Sequence, residues 1–237
     1  MSALPWLDTR SHWFPDPETA LDEPDGLLAI GGDLHPERLL RAYSQGIFPW
    51  FSDDQPILWW SPNPRCVLFP PHVHIARSLR RRLNRDDLRI TVDCAFEDVI
   101  RDCGRLREEG TWITSDMEAA YCHLHQLGHA HSFEAWNADG QLVGGLYGVA
   151  VGRCFFGESM FSRERDASKI VFVHVARQLE RWGYALLDCQ VENGHLLSLG
   201  AERISRRHFL AILRENVDRP AGHDWRMDWF WGRESDT

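Results

Sequence analysis

The stretch YALLDCQVENGH, residues 184–195, carries four side chains that could do chemistry. An apolar run of strand type ends in Asp188, Cys189 and Gln190, and His195 follows shortly after. A thiol and an imidazole can form a nucleophile–base pair, whereas a carboxylate and an amide can hold a substrate and help to move a proton. Two kinds of chemistry therefore compete for the same segment.

Strand periodicity separates the two candidates. Successive side chains of a strand point to opposite faces, so Asp188 and Gln190 share one face and Cys189 lies on the other. Beside Leu187, Cys189 is expected to face a helix-covered core, where burial raises the pKa of a thiol and lowers its reactivity. A dyad with His195 would need an exposed thiol and a loop that returns the imidazole to that side. The pattern favours the acid–amide pair.

The stretch GESMFSR, residues 157–163, places one carboxylate among apolar side chains. Glu158 follows Phe155 and Phe156 and precedes Met160. A charge in such surroundings is costly to bury without a partner. The pattern is typical of an apolar pocket whose single carboxylate orients an amine, and also of a core strand that ends at an exposed turn.

Histidines at 123, 125, 129 and 131 suggest a metal cluster at first sight. On a helix, His123 and His125 lie about 200° apart, so they cannot bind one ion from one face. Gly128 is expected to end the helix before the last two, and no HExxH spacing occurs. We expect no metal site. Since neither GxGxxG nor a phosphate-binding loop occurs, we expect no nucleotide cofactor either.

The charge is unevenly distributed. A net charge of −9 argues against a protein that coats nucleic acid indiscriminately. Six arginines nevertheless fall between residues 77 and 89, in RSLRRRLNRDDLR. Such a run is either a solvated helix, with Asp86 and Asp87 as partial counter-charges, or a face that contacts phosphates, to which the guanidinium is suited.

The elements that carry these residues fall into two parts. Residues 35–46, HPERLLRAYSQG, predict one helix in a segment rich in Pro, Gly and Trp. Prolines between residues 62 and 71 then disfavour helix. We place a boundary near residue 64, with a small N-terminal domain over 1–64 and a second domain over 65–237.

In the second domain, helices and strands alternate. The pattern predicts helices over 72–84, 95–107, 115–128 and 166–183, with Ser115 in a capping box and Asp166 or Ser168 as the cap of the last helix. Strands joined by a turn at Asp139 and Gly140 precede that last helix, and YALLDCQ follows it as a strand. This order indicates an α+β domain with a mixed, largely antiparallel sheet, as in the small-molecule acetyltransferase fold.

The composition indicates where in the cell the protein is expected to be found. At 43% hydrophobic, the chain is globular, and it has neither an apolar run of membrane-spanning length nor a signal-type N-terminus, so we expect a cytoplasmic protein. The six cysteines form no CxxC pair and are expected to be free thiols.

Several stretches, taken together and in order, resemble one family, the leucyl/phenylalanyl-tRNA–protein transferases. They are GLLAIGGDL (26–34), GIFPWFS (46–52), ILWWSPNPR (57–65), EEGTWIT (108–114), LGHAHSFE (127–134), GESMFSR (157–163), ASK (167–169), LLDCQV (186–191) and SLGAERISRRHF (198–209). The resemblance implies an enzyme that takes Leu, Phe or less readily Met from aminoacyl-tRNA. It would join that residue to an N-terminal Arg or Lys of an acceptor protein, which marks the acceptor for degradation by the N-degron route.

The resemblance also implies a small N-terminal domain followed by an acetyltransferase-like (GNAT) domain, and a cytoplasmic enzyme, expected to be a monomer, that needs no metal or nucleotide cofactor. Asp188 and Gln190 match the family's catalytic pair. Gln190 would hold the attacking amine or the ester, and Asp188 would polarise that contact and help draw away the proton. Direct attack needs no acyl-enzyme, so Cys189 has no required role. Glu158 matches a site position that would bind an amine or the acceptor's basic side chain.

Three further sets of residues carry over from the resemblance. The pocket for the transferred side chain would be lined by Leu146, Phe155, Met160, Val175, Leu179 and Leu187. Aromatic contacts to the adenosine at the tRNA end would come from Trp50 and Trp112. The basic patch that supports the acceptor stem would comprise Arg77, Arg80, Arg81, Arg82 and Arg85. Leu146, Val175 and Leu179 stand where the family has Met and Phe, which puts the preference among Leu, Phe and Met in question.

Two rival functions fit parts of the pattern. An acetyltransferase that uses acetyl-CoA would explain the strand–helix–strand order, although no clear Q/RxxGxG/A loop for its pyrophosphate occurs. An RNA-binding module without catalysis would explain the arginine-rich segment and the exposed tryptophans.

Overall fold

The computed structural model describes residues 4–105 and 113–233. The strands are β1 (Trp6–Leu7), β2 (Leu27–Gly31), β3 (Phe48–Pro49), β4 (Leu58–Trp60), β5 (Arg65–Leu68), β6 (Arg89–Val92), β7 (Ala130–Trp136), β8 (Leu142–Val151), β9 (Cys154–Ser162), β10 (Leu186–Gln190) and β11 (Glu202–Ile204). The helices are α1 (Pro36–Ser44), α2 (Arg77–Leu83), α3 (Phe96–Arg105), α4 (Ser115–Gln126), α5 (Ala167–Arg181), α6 (Gly194–Ser198) and α7 (Arg206–Asn216).

The strands form two sheets. A four-stranded sheet has the order β1-β2-β4-β3, and a seven-stranded sheet has the order β11-β5-β10-β9-β8-β7-β6. In the larger sheet β10 pairs with β9 in parallel, and every other neighbouring pair is antiparallel. The predicted α+β class and the mixed, largely antiparallel sheet are confirmed.

Alternation along the strands divides the core of the larger sheet into two faces. Phe156 and Leu186 belong to the buried cluster that also contains side chains of α3 and α4. Their neighbours Phe155 and Leu187 belong to a second cluster, together with the apolar side chains of α5. Two covered faces explain why these strands are continuously apolar instead of alternating with polar residues.

The first of these clusters continues into the N-terminal part of the chain, since it also contains Leu28, Phe48 and Trp59 of the smaller sheet. The last strand of the smaller sheet ends at Trp60, and the larger sheet begins at Arg65. The division into 1–64 and 65–237 therefore stays a prediction, because one buried cluster contains residues from both sides of it.

Two helix starts differ from the sequence prediction. The helix predicted over 72–84 begins only at Arg77, because the backbone before it is extended, with ψ of 121° at Val73 and 154° at Ala76, and the N–H of His74 donates to the carbonyl of Leu199. In α4 the cap is Thr114, whose Oγ1 accepts from the N–H of Met117 at 3.2 Å. The predicted cap at Ser115 is thus wrong by one residue.

Candidate active site

A cavity of about 610 Å³ opens where β9 and β10 meet the segment that follows β3. β9 and β10 contribute both polar and apolar side chains to its wall. Among the residues predicted for the site, those that line the cavity are Trp50, Leu146, Glu158, Met160, Leu187, Asp188 and Gln190. The structure thus brings together the predicted acid–amide pair, the predicted carboxylate and part of the predicted apolar pocket.

Asp188 is fully buried and forms an ion pair with Arg65, which is also fully buried. Nε of Arg65 donates to Oδ1 of Asp188 at 2.9 Å, and Nη2 donates to Oδ2 at 2.6 Å. A bidentate pair of this kind is strong and fixes the carboxylate plane. Both oxygens of Asp188 are therefore occupied, which the sequence did not predict.

Gln190 lies at an irregularity of the β10–β5 pairing and has a left-handed backbone, with φ of 60°. Its backbone N–H donates to Oδ1 of Asp188 at 2.9 Å, and its side-chain Nε2 donates to Oε1 of Glu158 at 2.7 Å. A left-handed conformation is uncommon for a residue with a side chain and needs support from its surroundings. The hydrogen bond to Asp188 supplies such support, and Gln190 links the two carboxyl groups through its backbone N–H and its side-chain amide.

Glu158 is 7% exposed, and within 4–105 and 113–233 the side chains that donate to it are neutral. Tyr43 donates to Oε1 at 2.8 Å, and Tyr121 donates to Oε2 at 3.1 Å. Burial raises the pKa of Glu158 to about 7, while the hydrogen bonds from the two tyrosines and from Gln190 lower it less. Burial also raises the pKa of both tyrosines well above 10, so they remain donors. Glu158 can therefore bind or release a proton near neutral pH.

The two tyrosines were not predicted as site residues. Tyr43 lies within α1, and Tyr121 lies within α4. Both are fully buried, and their hydroxyl groups also contact each other. Only their convergence on Glu158 reveals a role in the site, and no local sequence signal marks that convergence.

Cys189 points away from Asp188, as strand periodicity predicts. It packs with the cluster on the α5 side of the sheet, which also contains Cys66. A hydrogen bond with Cys66 and burial raise the pKa of the Cys189 thiol well above 9. The thiolate that a nucleophile requires is thus disfavoured. His195 lies on α6 and lines the cavity, and burial lowers the pKa of its imidazole.

The apolar wall differs in part from the expectation. Phe155, Val175 and Leu179 are fully buried and form the layer behind the cavity instead of its surface. Phe172 lines the cavity, although it was not predicted. It lies three and seven residues before the two predicted positions of α5, so the helical period was the signal that could have identified it.

The two predicted aromatic contacts have different outcomes. Trp50 is 43% exposed at the rim of the cavity, and its backbone carbonyl accepts a hydrogen bond from Nε1 of Trp60 at 2.7 Å. Its ring packs beside that of Trp60, with the ring centres 5.7 Å apart, and part of its surface is open to a ligand. Trp112 lies outside the described residues.

The five predicted arginines lie on α2 or directly after it, and they are not equivalent. Arg80 lies over the ring of Trp231, and Arg82 forms an ion pair with Asp87. The other three are exposed and form no ion pair with any described residue; they are Arg77, Arg81 and Arg85. Their spacing of four residues places them along one side of the helix. None of the five lines the cavity.

A group of possible metal ligands lies away from the cavity. Within 4–105 and 113–233, one group brings its ligand atoms within 4.8 Å of one another, namely His12, His35 and Glu37. These residues lie near the start of α1 and do not line the cavity. In the same ranges, no helix is both long enough and apolar enough to cross a membrane.

Two family models match this chain. The model for the N-terminal domain of leucyl/phenylalanyl-tRNA protein transferase matches residues 32–63, and the model for leucyl/phenylalanyl-tRNA protein transferase matches residues 67–214. The chain belongs to the leucyl/phenylalanyl-tRNA protein transferase family. It is therefore a transferase, and the resemblance carried by the sequence motifs is confirmed.

Relatives with this family name match almost the whole chain. The leucyl/phenylalanyl-tRNA–protein transferase of Hahella chejuensis is 57% identical over 96% of this chain and 97% of its own length. The one from Stutzerimonas stutzeri is 55% identical over 94% of this chain and 99% of its own. The family name implies transfer of an amino acid from tRNA to a protein, so tRNA and protein are the two substrates.

Solved structures match more distantly. L-PGS from Bacillus licheniformis has a TM-score of 0.40 and 13% identity, and the match covers 70% of this chain and 53% of that one. A GCN5-related N-acetyltransferase from Kribbella flavida has a TM-score of 0.38 and 11% identity, over 69% and 58% of the two chains.

Proposed function

We propose that this transferase moves Leu, Phe and, less readily, Met from aminoacyl-tRNA to the N-terminal Arg or Lys of acceptor proteins. The amine would attack the ester directly, and the product would enter degradation by the N-degron route. The observation that carries the proposal is the link from Glu158 through Gln190 to Asp188 at the wall of a cavity whose other wall is apolar.

The proposed reaction needs a deprotonated amine, alignment and a proton for the leaving oxygen. The amine nitrogen forms a bond to the ester carbon, the bond from that carbon to the ribose oxygen breaks, and the amine loses a proton while the ribose oxygen gains one. An α-amino group has a pKa of about 8, so a carboxylate with a pKa near neutrality is a suitable acceptor for its proton.

The three side chains would divide this work. Glu158 would bind the incoming amine and accept its proton, since it lines the cavity and burial among neutral donors raises its pKa to about 7. Gln190 would orient the amine or the ester. Asp188 would keep its place in the catalytic pair by fixing Gln190, and not as the proton acceptor, because the guanidinium of Arg65 already pairs with both of its oxygens.

Substrate binding would use the surroundings of the cavity. The transferred side chain would contact Leu146, Met160 and Leu187, with Phe172 as a further wall. Trp50 and Trp112 would contact the terminal adenosine, and stacking on such rings contributes about 1–3 kcal/mol per base. The arginines of α2 would contact phosphates of the acceptor stem. The enzyme would act in the cytoplasm as a monomer, without a metal or nucleotide cofactor.

One assay tests the proposal. The protein is incubated with labelled Leu-tRNA and a peptide that begins with Arg, in parallel with the same peptide beginning with Ala. We expect label in the first peptide only. No transfer to the Arg peptide, while a known enzyme of this family is active alongside, would reject the proposal. Transfer of acetyl from acetyl-CoA, or tRNA binding without any transfer, would identify the two rival functions.

A further inference from the structure

Arg65 forms more contacts than an ion pair requires. Besides its two hydrogen bonds to Asp188, its Nη1 donates to the carbonyl of Gly46 at 3.1 Å. Its guanidinium also lies between two aromatic rings, 4.8 Å from the centre of Phe48 and 4.5 Å from that of Phe209. Because each of its three nitrogens donates a hydrogen bond and two aromatic rings flank the guanidinium, this side chain is held in one orientation.

These contacts connect three parts of the molecule. Gly46 and Phe48 belong to the segment that leads to Trp50 at the rim of the cavity. Asp188 lies on β10, and Phe209 lies on α7. A shift of this guanidinium would therefore move both the carboxylate that anchors Gln190 and the segment that carries the rim.

The electrostatics of the pair limit what Asp188 can do. Two buried opposite charges stabilise each other, and removal of one partner leaves an uncompensated buried charge. Other ionisable groups near Asp188 are Glu158 and Cys154 of β9 and Cys66 of β5, none of which supplies positive charge. Among the described residues, Arg65 is thus the cation that pairs with Asp188 and donates to both of its oxygens.

We propose that Arg65 is a positioning residue for the transfer reaction. It holds the Asp188 carboxylate in the position from which Oδ1 accepts the hydrogen bond of the left-handed Gln190. Its hydrogen bond to the carbonyl of Gly46 also fixes the segment that carries Trp50 relative to Asp188. The inference rests on the proposed function, because Gln190 must orient the amine or the ester for its alignment to matter. Arg65 itself need not touch either substrate.

A double-mutant cycle tests this role. The variants are Arg65→Gln, Asp188→Asn and the combination of both, each assayed for kcat and for the KM of the Arg peptide with saturating Leu-tRNA. Arg65→Gln should lower kcat by about 10²-fold, as expected when a reacting group is displaced, while KM changes little. Asp188→Asn should cost much less in the Arg65→Gln background than alone, because residues that act as a unit are not additive.

Two further variants separate positioning from folding. Arg38→Gln removes another fully buried arginine, which is paired with Asp33 in the N-terminal part, and it should show no coupling to Asp188→Asn. Arg65→Lys keeps the charge but not the bidentate geometry, and it should retain part of kcat in a protein with wild-type circular dichroism. If Arg65→Gln does not fold, the cycle is run with Arg65→Lys.

The outcomes are distinct. If Asp188→Asn lowers kcat by the same factor with and without the Arg65 substitution, the inference is overturned. It is also overturned if Arg65→Gln changes KM without lowering kcat, or if Arg38→Gln lowers kcat as much as Arg65→Gln does. Absence of transfer by the wild-type protein would instead reject the proposed function, before any variant is compared.

Discussion

At the residue scale, the site contains two buried carboxyl groups in different surroundings. Asp188 faces a guanidinium, whereas Glu158 faces two tyrosine hydroxyl groups and one amide. Opposite charge favours the ionised form of a carboxyl group, and burial among neutral groups disfavours it. Environment thus assigns the two carboxyls to different tasks, a structural anion and a group that exchanges protons.

The sequence predicted both carboxyls for the site but not this division. Arg65 precedes Asp188 by 123 residues, and Tyr43 precedes Glu158 by 115. Local periodicity places Asp188 on the face opposite Cys189, which the structure shows as well. It carries no information about which distant side chain lies across from it, so the different surroundings of the two carboxyl groups could not be inferred from the motif.

The pH dependence of transfer should depend on Glu158. Below about pH 7 the carboxyl becomes protonated and can no longer accept a proton, so the wild-type rate should fall there. The Glu158→Gln variant should transfer the amino acid more slowly, and its rate should not depend on the ionisation of a carboxyl group at position 158. Single-turnover rates for both proteins are measured across this range, because their ratio cancels the ionisation of the amine of the peptide. We expect the ratio of wild type to variant to decrease as the pH is lowered.

A matched control is another buried glutamate. Glu134 is fully buried on β7, burial raises its pKa, and it does not line the cavity. Glu134→Gln should keep the wild-type pH profile. If the ratio of the single-turnover rates of wild type and Glu158→Gln is constant with pH, Glu158 is not the proton acceptor.

At the element scale, the predictions succeeded where a pattern is local. The strand predicted over 184–190 occurs as β10 over Leu186–Gln190, and the helix after 166 and the turn at Asp139 and Gly140 also occur in the structure. The irregularity at Gln190 was not predicted, because its positive φ occurs without glycine. α2 is shorter than predicted, since a contact with Leu199 determines the path of the chain before it. Such contacts between distant segments override local propensity.

A prediction at the element scale concerns tRNA binding by the arginines of α2. Arg77 and Arg81 are exposed and unpaired among the described residues, whereas Arg80 and Arg82 already have partners. The double variant Arg77→Gln with Arg81→Gln should weaken tRNA binding and reduce the slope of log affinity against log salt by about 1–2. Arg80→Gln with Arg82→Gln removes the same charge and should change the slope less.

Filter binding of tRNA at several salt concentrations measures both slopes. The comparison is independent of net charge, because the two double variants have equal charge. Equal slopes for the two would show that only the total charge of the helix matters. If both double variants have the same slope of log affinity against log salt as wild type, α2 is a solvated helix that does not contact tRNA.

At the scale of the whole molecule, the site lies between the N-terminal part and the larger sheet. Tyr43 of α1 contacts Glu158 of β9, and the carbonyl of Gly46 contacts Arg65 of β5. The same regions share one buried apolar cluster. The composition and the strand order predicted two parts, but they did not predict that the polar network of the site would join them.

Glu158 also affects the stability of the whole chain. Its pKa is about 7 when folded and 4.5 in the absence of the fold, so the folded state binds a proton more tightly. A group whose pKa is raised on folding stabilises the native state at low pH, and this contribution is lost as the pH rises through the folded value. The ionised carboxylate should therefore cost the wild-type protein up to about 3 kcal/mol above pH 7.

Glu158→Gln tests this contribution, because an amide can use the same tyrosines without becoming charged. The free energy of unfolding of the variant, relative to wild type, should increase by about 3 kcal/mol between pH 4.5 and pH 8. Urea unfolding followed by tryptophan fluorescence measures both proteins at each pH. A difference that stays constant with pH would mean that folding does not raise the pKa of Glu158. Its proposed task as a proton acceptor near neutral pH would then fail together with this prediction, since both depend on the same ionisation.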